Sequence, residues 1–191
     1  MRRSFGTAAV LLAAIWAGAA CAQDNDLAER SAAARAAAAD FGATLLATLQ
    51  KAMAEGGPVN AISVCNTAAP AIAGAKSAER KMSIRRTSLR LRQPKNAPDA
   101  WELAQLEKFE ARKAAGEDPA KIEFGDYVEL NGKKVFRYMK AIPTGPVCLA
   151  CHGANLAPEV SARLAALYPD DKATGFKPGD LRGAFTIVVT P

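Results

Sequence analysis

Two thiols and an imidazole stand together in "PVCLACHGAN", Pro146 to Asn155: Cys148 and Cys151 are spaced C-x-x-C, and His152 follows directly. His152 is the sole histidine of the chain. In a covalent haem c site the two sulfurs add across the porphyrin vinyl groups, which holds the next residue's imidazole under the iron; one short motif encodes both attachment and ligation. A zinc ion would draw on Cys65, Cys148, Cys151 and His152, but adjacent residues such as Cys151 and His152 have difficulty reaching one tetrahedral ion together. A thioredoxin-like dithiol would follow a strand in a parallel βαβ unit, and the sequence lacks that alternation. One covalent haem c is therefore the expected cofactor, with thioethers at Cys148 and Cys151 and His152 as an axial iron ligand.

The N-terminus points to a compartment where that chemistry occurs. Arg2 and Arg3, the apolar run "AAVLLAAIWAGAA" and the small residues Ala20-Cys21-Ala22 mark residues 1–22 as a secretory signal. The apolar run falls short of the roughly 20 residues that span a bilayer, so no transmembrane segment is expected after cleavage. Lipid attachment at Cys21 is the secondary reading, because Gly18 stands where a bulky aliphatic residue would be expected. The mature chain is placed in the periplasm or elsewhere outside the cytoplasm, within reach of haem-attachment machinery. Loss of Arg2 and Arg3 leaves 23 Lys and Arg against 19 acids, a net charge of +4. That charge is mild and lacks the clustered, aromatic-interleaved pattern of nucleic-acid binders, so no nucleic-acid partner is expected.

With Cys21 removed and two cysteines tethering haem, Cys65 has no thiol partner left in the chain. In an oxidising compartment such a cysteine is either buried and inert or ligated. Because the only histidine is already used, the second axial ligand must come from Cys65 or from Met53, Met82 or Met139. Met53 fits the packing stripe of a helix, and spacing alone does not separate Cys65 from Met139.

These residues need a scaffold. Residues 23–55 read as one long helix, rich in Ala, Leu, Glu and Arg, with Phe41, Leu45, Leu49 and Met53 on one face and Gly56-Gly57-Pro58 as its stop. A second helical segment, "VNAISVCNTAAPAIAGA", carries Cys65, and Pro70 predicts a kink within it. "RRTSLRLR" alternates as a half-buried strand, with Arg86, Ser88, Arg90 and Arg92 on one side. Asp99 caps a helix through Trp101, Leu103, Leu106 and Phe109. Asn131-Gly132 joins two β-runs into a hairpin whose expected partners are "RRTSLRLR" and the C-terminal "RGAFTIVVT". A short helix is expected near "PEVSARLAALYP". The fold class is α+β, an antiparallel sheet of about four or five strands with packed helices.

Four ordered segments, "AISVCNTAAP", "RRTSLRLRQPKNAPDAWE", "CLACHG" and "LYPDDKATGFKPGDLRGAFTI", resemble a bacterial family of single-haem c-type domains with a PAS-like fold. The resemblance implies a PAS-like haem domain over residues 56–191, with the cysteine of "V-C-N", Cys65, opposite His152 on the iron. A thiolate ligand stabilises ferric iron, so a low reduction potential is expected. Arginine binds carboxylates in a fork, which makes Arg86 and Arg92 the candidates for haem propionate contacts. The resulting reading is low-potential electron transfer or redox sensing through a redox or signalling partner protein. A haem-based gas sensor is the alternative. An enzyme is disfavoured, because the one histidine is no longer free as an acid or base.

Overall fold

The computed structural model describes residues 9–190, with side chains from residue 25 onward; the segment expected to be a secretory signal, with Cys21, lies outside the residues described in full. Helix α1, Ala9–Arg80, is two arms joined at Gly56 and Gly57. Gly57 takes φ +66°, ψ −165°, a conformation that a side chain would strain. Across the bend Asn60 Nδ2 donates to the Ala52 carbonyl at 2.9 Å. Farther along, Lys76 and Arg80 reach Asp40 at 3.0 and 2.8 Å, so the second arm, residues 58–80, runs back along the first. The helix does not restart at Pro70, where the kink is expected: the backbone dihedrals stay helical through it. One missing amide donor is outweighed there by packing of Ala69 and Ile72.

Strands β1 (Ser83–Thr87), β2 (Glu123–Leu130), β3 (Lys133–Pro143) and β4 (Leu181–Val189) form one antiparallel sheet in the order β1-β4-β3-β2. The β2–β3 hairpin turns at Asn131 and Gly132, both with positive φ, as the sequence predicts. Of the two partners expected for the hairpin, its second strand pairs with β4 alone, which separates it from β1. Strand β1 is shorter than "RRTSLRLR" suggests. Ser88 ends it: its hydroxyl donates to the carbonyls of Arg90 and Arg182 and accepts from the Arg90 amide, turning the chain out of the ladder and leaving Leu89 exposed.

One face of the sheet packs Ile84, Phe136, Tyr138 and Ile187 against Ala34, Ala37, Ala38 and Phe41 of α1. The small alanines bring the helix close, and each buried aromatic contributes about 1.5–3 kcal/mol. The core stripe therefore lies one turn earlier than the leucine pattern indicates; Leu45, Leu49 and Met53 are only half-buried. The other face packs Met139, Ala141, Leu181 and Ala184 under Leu106 and Phe109 of α2 (Ala100–Ala114). Asp99 caps α2 in a capping box with Glu102. Glu102 is fully buried while Leu103 is exposed, the reverse of their hydropathies. Its carboxylate meets Arg85, Arg137 at 3.1 Å and the Thr186 hydroxyl at 2.8 Å, a set of partners that a periodicity argument does not see.

Candidate functional site

After β3 the chain makes one 3-10 turn, Pro146–Cys148, and then the four-residue helix α3, Leu149–His152. Helix α4, Pro158–Leu167, packs Val160 and Leu164 on Ile62 of the second α1 arm, with Cys151 and Tyr168 alongside. These contacts bring the Cys65 segment to the motif. Cys65, Cys148 and Cys151 are free thiols, each half-buried. Burial raises the Cys65 pKa, with the charges of Arg86 and Arg92 pulling it back, and burial likewise raises that of Cys151.

The imidazole is held from several sides. His152 Nδ1 lies 2.6 Å from the Ala173 carbonyl, which can only accept, so Nδ1 carries the proton and the Nε2 lone pair is left for another partner. The loop before β4 fixes the backbone here: Phe176 N donates to the His152 carbonyl and Gly175 N to that of Gly153, both at 2.9 Å. The Phe176 ring meets the imidazole edge-on at 6.1 Å between centroids. Burial, then the charges of Arg182 and Arg92, push the His152 pKa down to about 2.

Arginines surround this group in distinct roles. Arg92 is a brace: its guanidinium meets Asp171 at 3.0 Å, the Cys151 carbonyl at 2.5 Å and the Ala173 carbonyl at 3.3 Å. Arg86 shares the α1 face of the sheet with Ile84, and its charge acts on Cys65 and Tyr168. Burial lowers its pKa. Arg182 was not anticipated from the sequence. It sits where the β3–β4 register slips, Ile142 pairing with Gly183 and Pro143 with Leu181, so Arg182 is the extra residue of a β-bulge. Its Nε donates to His152 Nε2 at 3.3 Å. The signal that could have found it is the glycine next to it, since glycine inside a strand marks bulges. Gly183 has φ +152°, and a Cβ there would lie 2.2 Å from the Thr87 carbonyl oxygen.

Met139, the other candidate ligand, is fully buried in the α2-side core, paired with Thr186. Cys65 is on α1, which packs on the opposite face, so the sheet lies between them. Among the described residues no three His, Cys, Asp or Glu side chains converge as ligands for a bare metal ion. The donor set suits a larger group: three thiols and an imidazole lone pair around a cluster of arginines in which Asp171 is the bonded carboxylate. A metal macrocycle with acidic side arms matches it, the metal for imidazole and thiol, the acids for the guanidinium groups.

Residues 19–190 match the Tll0287-like family. The chain belongs to that family. Among solved structures, the Tll0287-like fold seen here is similar to one described as the crystal structure of the cyanobacterial heme-protein Tll0287, with 27% identity and a TM-score of 0.54, covering 66% of this chain and 71% of that one. A comparison with curated proteins finds no match. The Tll0287-like match takes in all the residues singled out by sequence, Cys65, Arg86, Arg92, Met139, Cys148, Cys151 and His152. Of these, the structure brings all but Met139 into one neighbourhood: Arg86 and Arg92 act on Cys65 and on His152, and Cys65 and Cys148 on Cys151.

Proposed function

We propose that this chain is an exported protein carrying one covalent haem c, which takes up and releases electrons at low potential for a redox or signalling partner. Cys148 and Cys151 would hold the porphyrin through thioethers, and His152 and Cys65 would ligate the iron. The observation that carries this reading is the state of the single histidine: Nδ1 donates to a backbone carbonyl, which leaves the Nε2 lone pair for a cation, directly after two free thiols. The description of a family relative as a heme protein supports the cofactor class.

Such a haem supplies a one-electron couple between ferric and ferrous iron. This chain's residues set the couple. The Ala173 carbonyl fixes the imidazole plane and raises its basicity. A Cys65 thiolate adds negative charge beside the metal and favours its oxidised form. Arg92 ties the Cys151 carbonyl to the loop at Asp171 and Ala173, which keeps both tethers and the ligand in one rigid unit. Ile62, Val160 and Leu164 keep water from the motif's far side. Two protein ligands leave no position for a substrate, which favours electron transfer or redox sensing over catalysis.

The test is expression with the leader in a host that has c-type haem-attachment machinery. After denaturation and acid-acetone extraction, wild-type protein should retain its haem, and Cys148→Ala with Cys151→Ala should lose it. Wild-type protein that yields all its haem to the solvent refutes covalent attachment. Carbon monoxide should leave the spectrum of the reduced protein unchanged; rapid binding would turn the reading to gas sensing.

A further inference from the structure

We propose that Arg182 is the haem-carboxylate anchor of this site, projecting from its β-bulge beside the ligating nitrogen of His152. The inference rests on the haem reading above and adds a residue to it. Arg182 Nε donates to His152 Nε2 at 3.3 Å, and that nitrogen has one lone pair. A guanidinium and an iron ion cannot share it, so ligation displaces Arg182. The displacement is local. Nη1 is held by the Ser88 hydroxyl and the Arg90 carbonyl, each at 3.2 Å, and the β-bulge with Gly183 fixes the backbone from which the side chain projects. Nη2 makes no hydrogen bond among the described residues.

The displaced charge needs a carboxylate, and among the described residues none stands free nearby. Arg86 and Arg92 add to the positive field at Arg182. Asp171 opposes it, but its two oxygens already accept from Arg92 and from the Ala173 amide, the latter at 2.8 Å. The acid must come with the ligand, and a porphyrin propionate next to its own iron is such an acid, matched by the planar fork of arginine. Arg92 keeps Nε and Nη2 on Asp171 and two carbonyls, none of which ligation of His152 displaces, so it stays a brace for the motif, and Arg182 is the arginine that ligation frees for the propionate role the strand pattern assigns to Arg92.

The test uses haem-loaded full-length protein as wild type, Arg182→Gln and Arg182→Lys, read by midpoint potential and by the propionate-bending band in resonance Raman spectra. Retained haem in wild type establishes the functional reading separately. With it established, Arg182→Gln should shift the propionate band and lower the midpoint, because removing a cation beside the haem favours ferric iron. Arg182→Lys keeps the charge but loses the fork; it should hold the midpoint near wild type while still shifting the band. An unchanged band in both variants overturns the proposal, and so does a midpoint that falls equally in both. Should Arg182→Gln fail to load, the band in Arg182→Lys decides alone.

Discussion

Arg92→Gln should loosen the motif and cost the fold more than any surface charge would. The Arg92 and Asp171 side chains are only 12% and 9% exposed, and they meet at 3.0 Å. Removing one partner of a buried pair typically costs about 3–5 kcal/mol, because the other charge stays buried. Asp171 keeps its bond from the Ala173 amide at 2.8 Å, which places the expected loss at the lower end, about 3 kcal/mol. The Cys151 and Ala173 carbonyls also lose a charged donor. For a chain of this length that loss lowers Tm by about 6–12 °C. The assay is urea unfolding of the haem-free chain for wild type, Arg92→Gln, Asp171→Asn and the double variant, with haem content after export measured in parallel. The cycle should return a coupling above about 1 kcal/mol, and Arg92→Gln should carry less haem per chain. A single-variant loss below about 1 kcal/mol would mean that the pair behaves like an exposed bridge and does not brace the motif.

Cys65→Ser should convert the ferric absorption spectrum to one without a thiolate ligand, whereas Met139→Leu should leave it unchanged and cost less than about 1.5 kcal/mol in a urea melt; the reverse pattern would assign the ligand to Met139. Gly183→Ala puts a methyl 2.2 Å from the Thr87 carbonyl at a φ of +152° and should cost more than about 2 kcal/mol by the same melt. Glu123 is held down to about 2, against an ordinary 4.5, chiefly by its hydrogen bond from Arg35, with Tyr138 and Lys140 adding to it. A depressed carboxyl stabilises the fold fully above its unfolded pKa and loses that contribution as pH falls, so stability should decline between about pH 4.5 and 2. Glu123→Gln should flatten that part of the curve, and an unaltered slope would assign the acid sensitivity elsewhere.

Much of this protein could be read from its residues in order. Asn131-Gly132 demanded a hairpin because both positions need positive φ, and Asp99 with Glu102 announced a helix start through reciprocal caps. Gly57, at φ +66°, marked the bend of α1 for the same conformational reason. C-x-x-C-H nominated a chemistry on its own, since the proposed attachment and ligation depend on neighbours in the chain. Periodicity misplaced what long-range partners decide. Glu102 is buried because Arg85, Arg137 and Thr186 from three strands meet it, and Leu103 is exposed as a result.

The site divides along the same line. Sequence by itself nominated Cys148 and Cys151 as tethers, His152 as a ligand and a short list of second ligands, because residue type and spacing carry that chemistry. Spacing alone left Cys65 and Met139 level, since two residues far from the motif differ in which side of the sheet they occupy, and only the family resemblance favoured Cys65. Tertiary structure separated their places: Met139 lies under α2, while α1 carries Cys65 to the neighbourhood of Cys151 on the other side. It also separated the arginines. An alternating strand presents several alike, but only the folded chain shows Arg92 bound to carbonyls, Arg86 beside Cys65, and Arg182 turned by a bulge onto the nitrogen of His152.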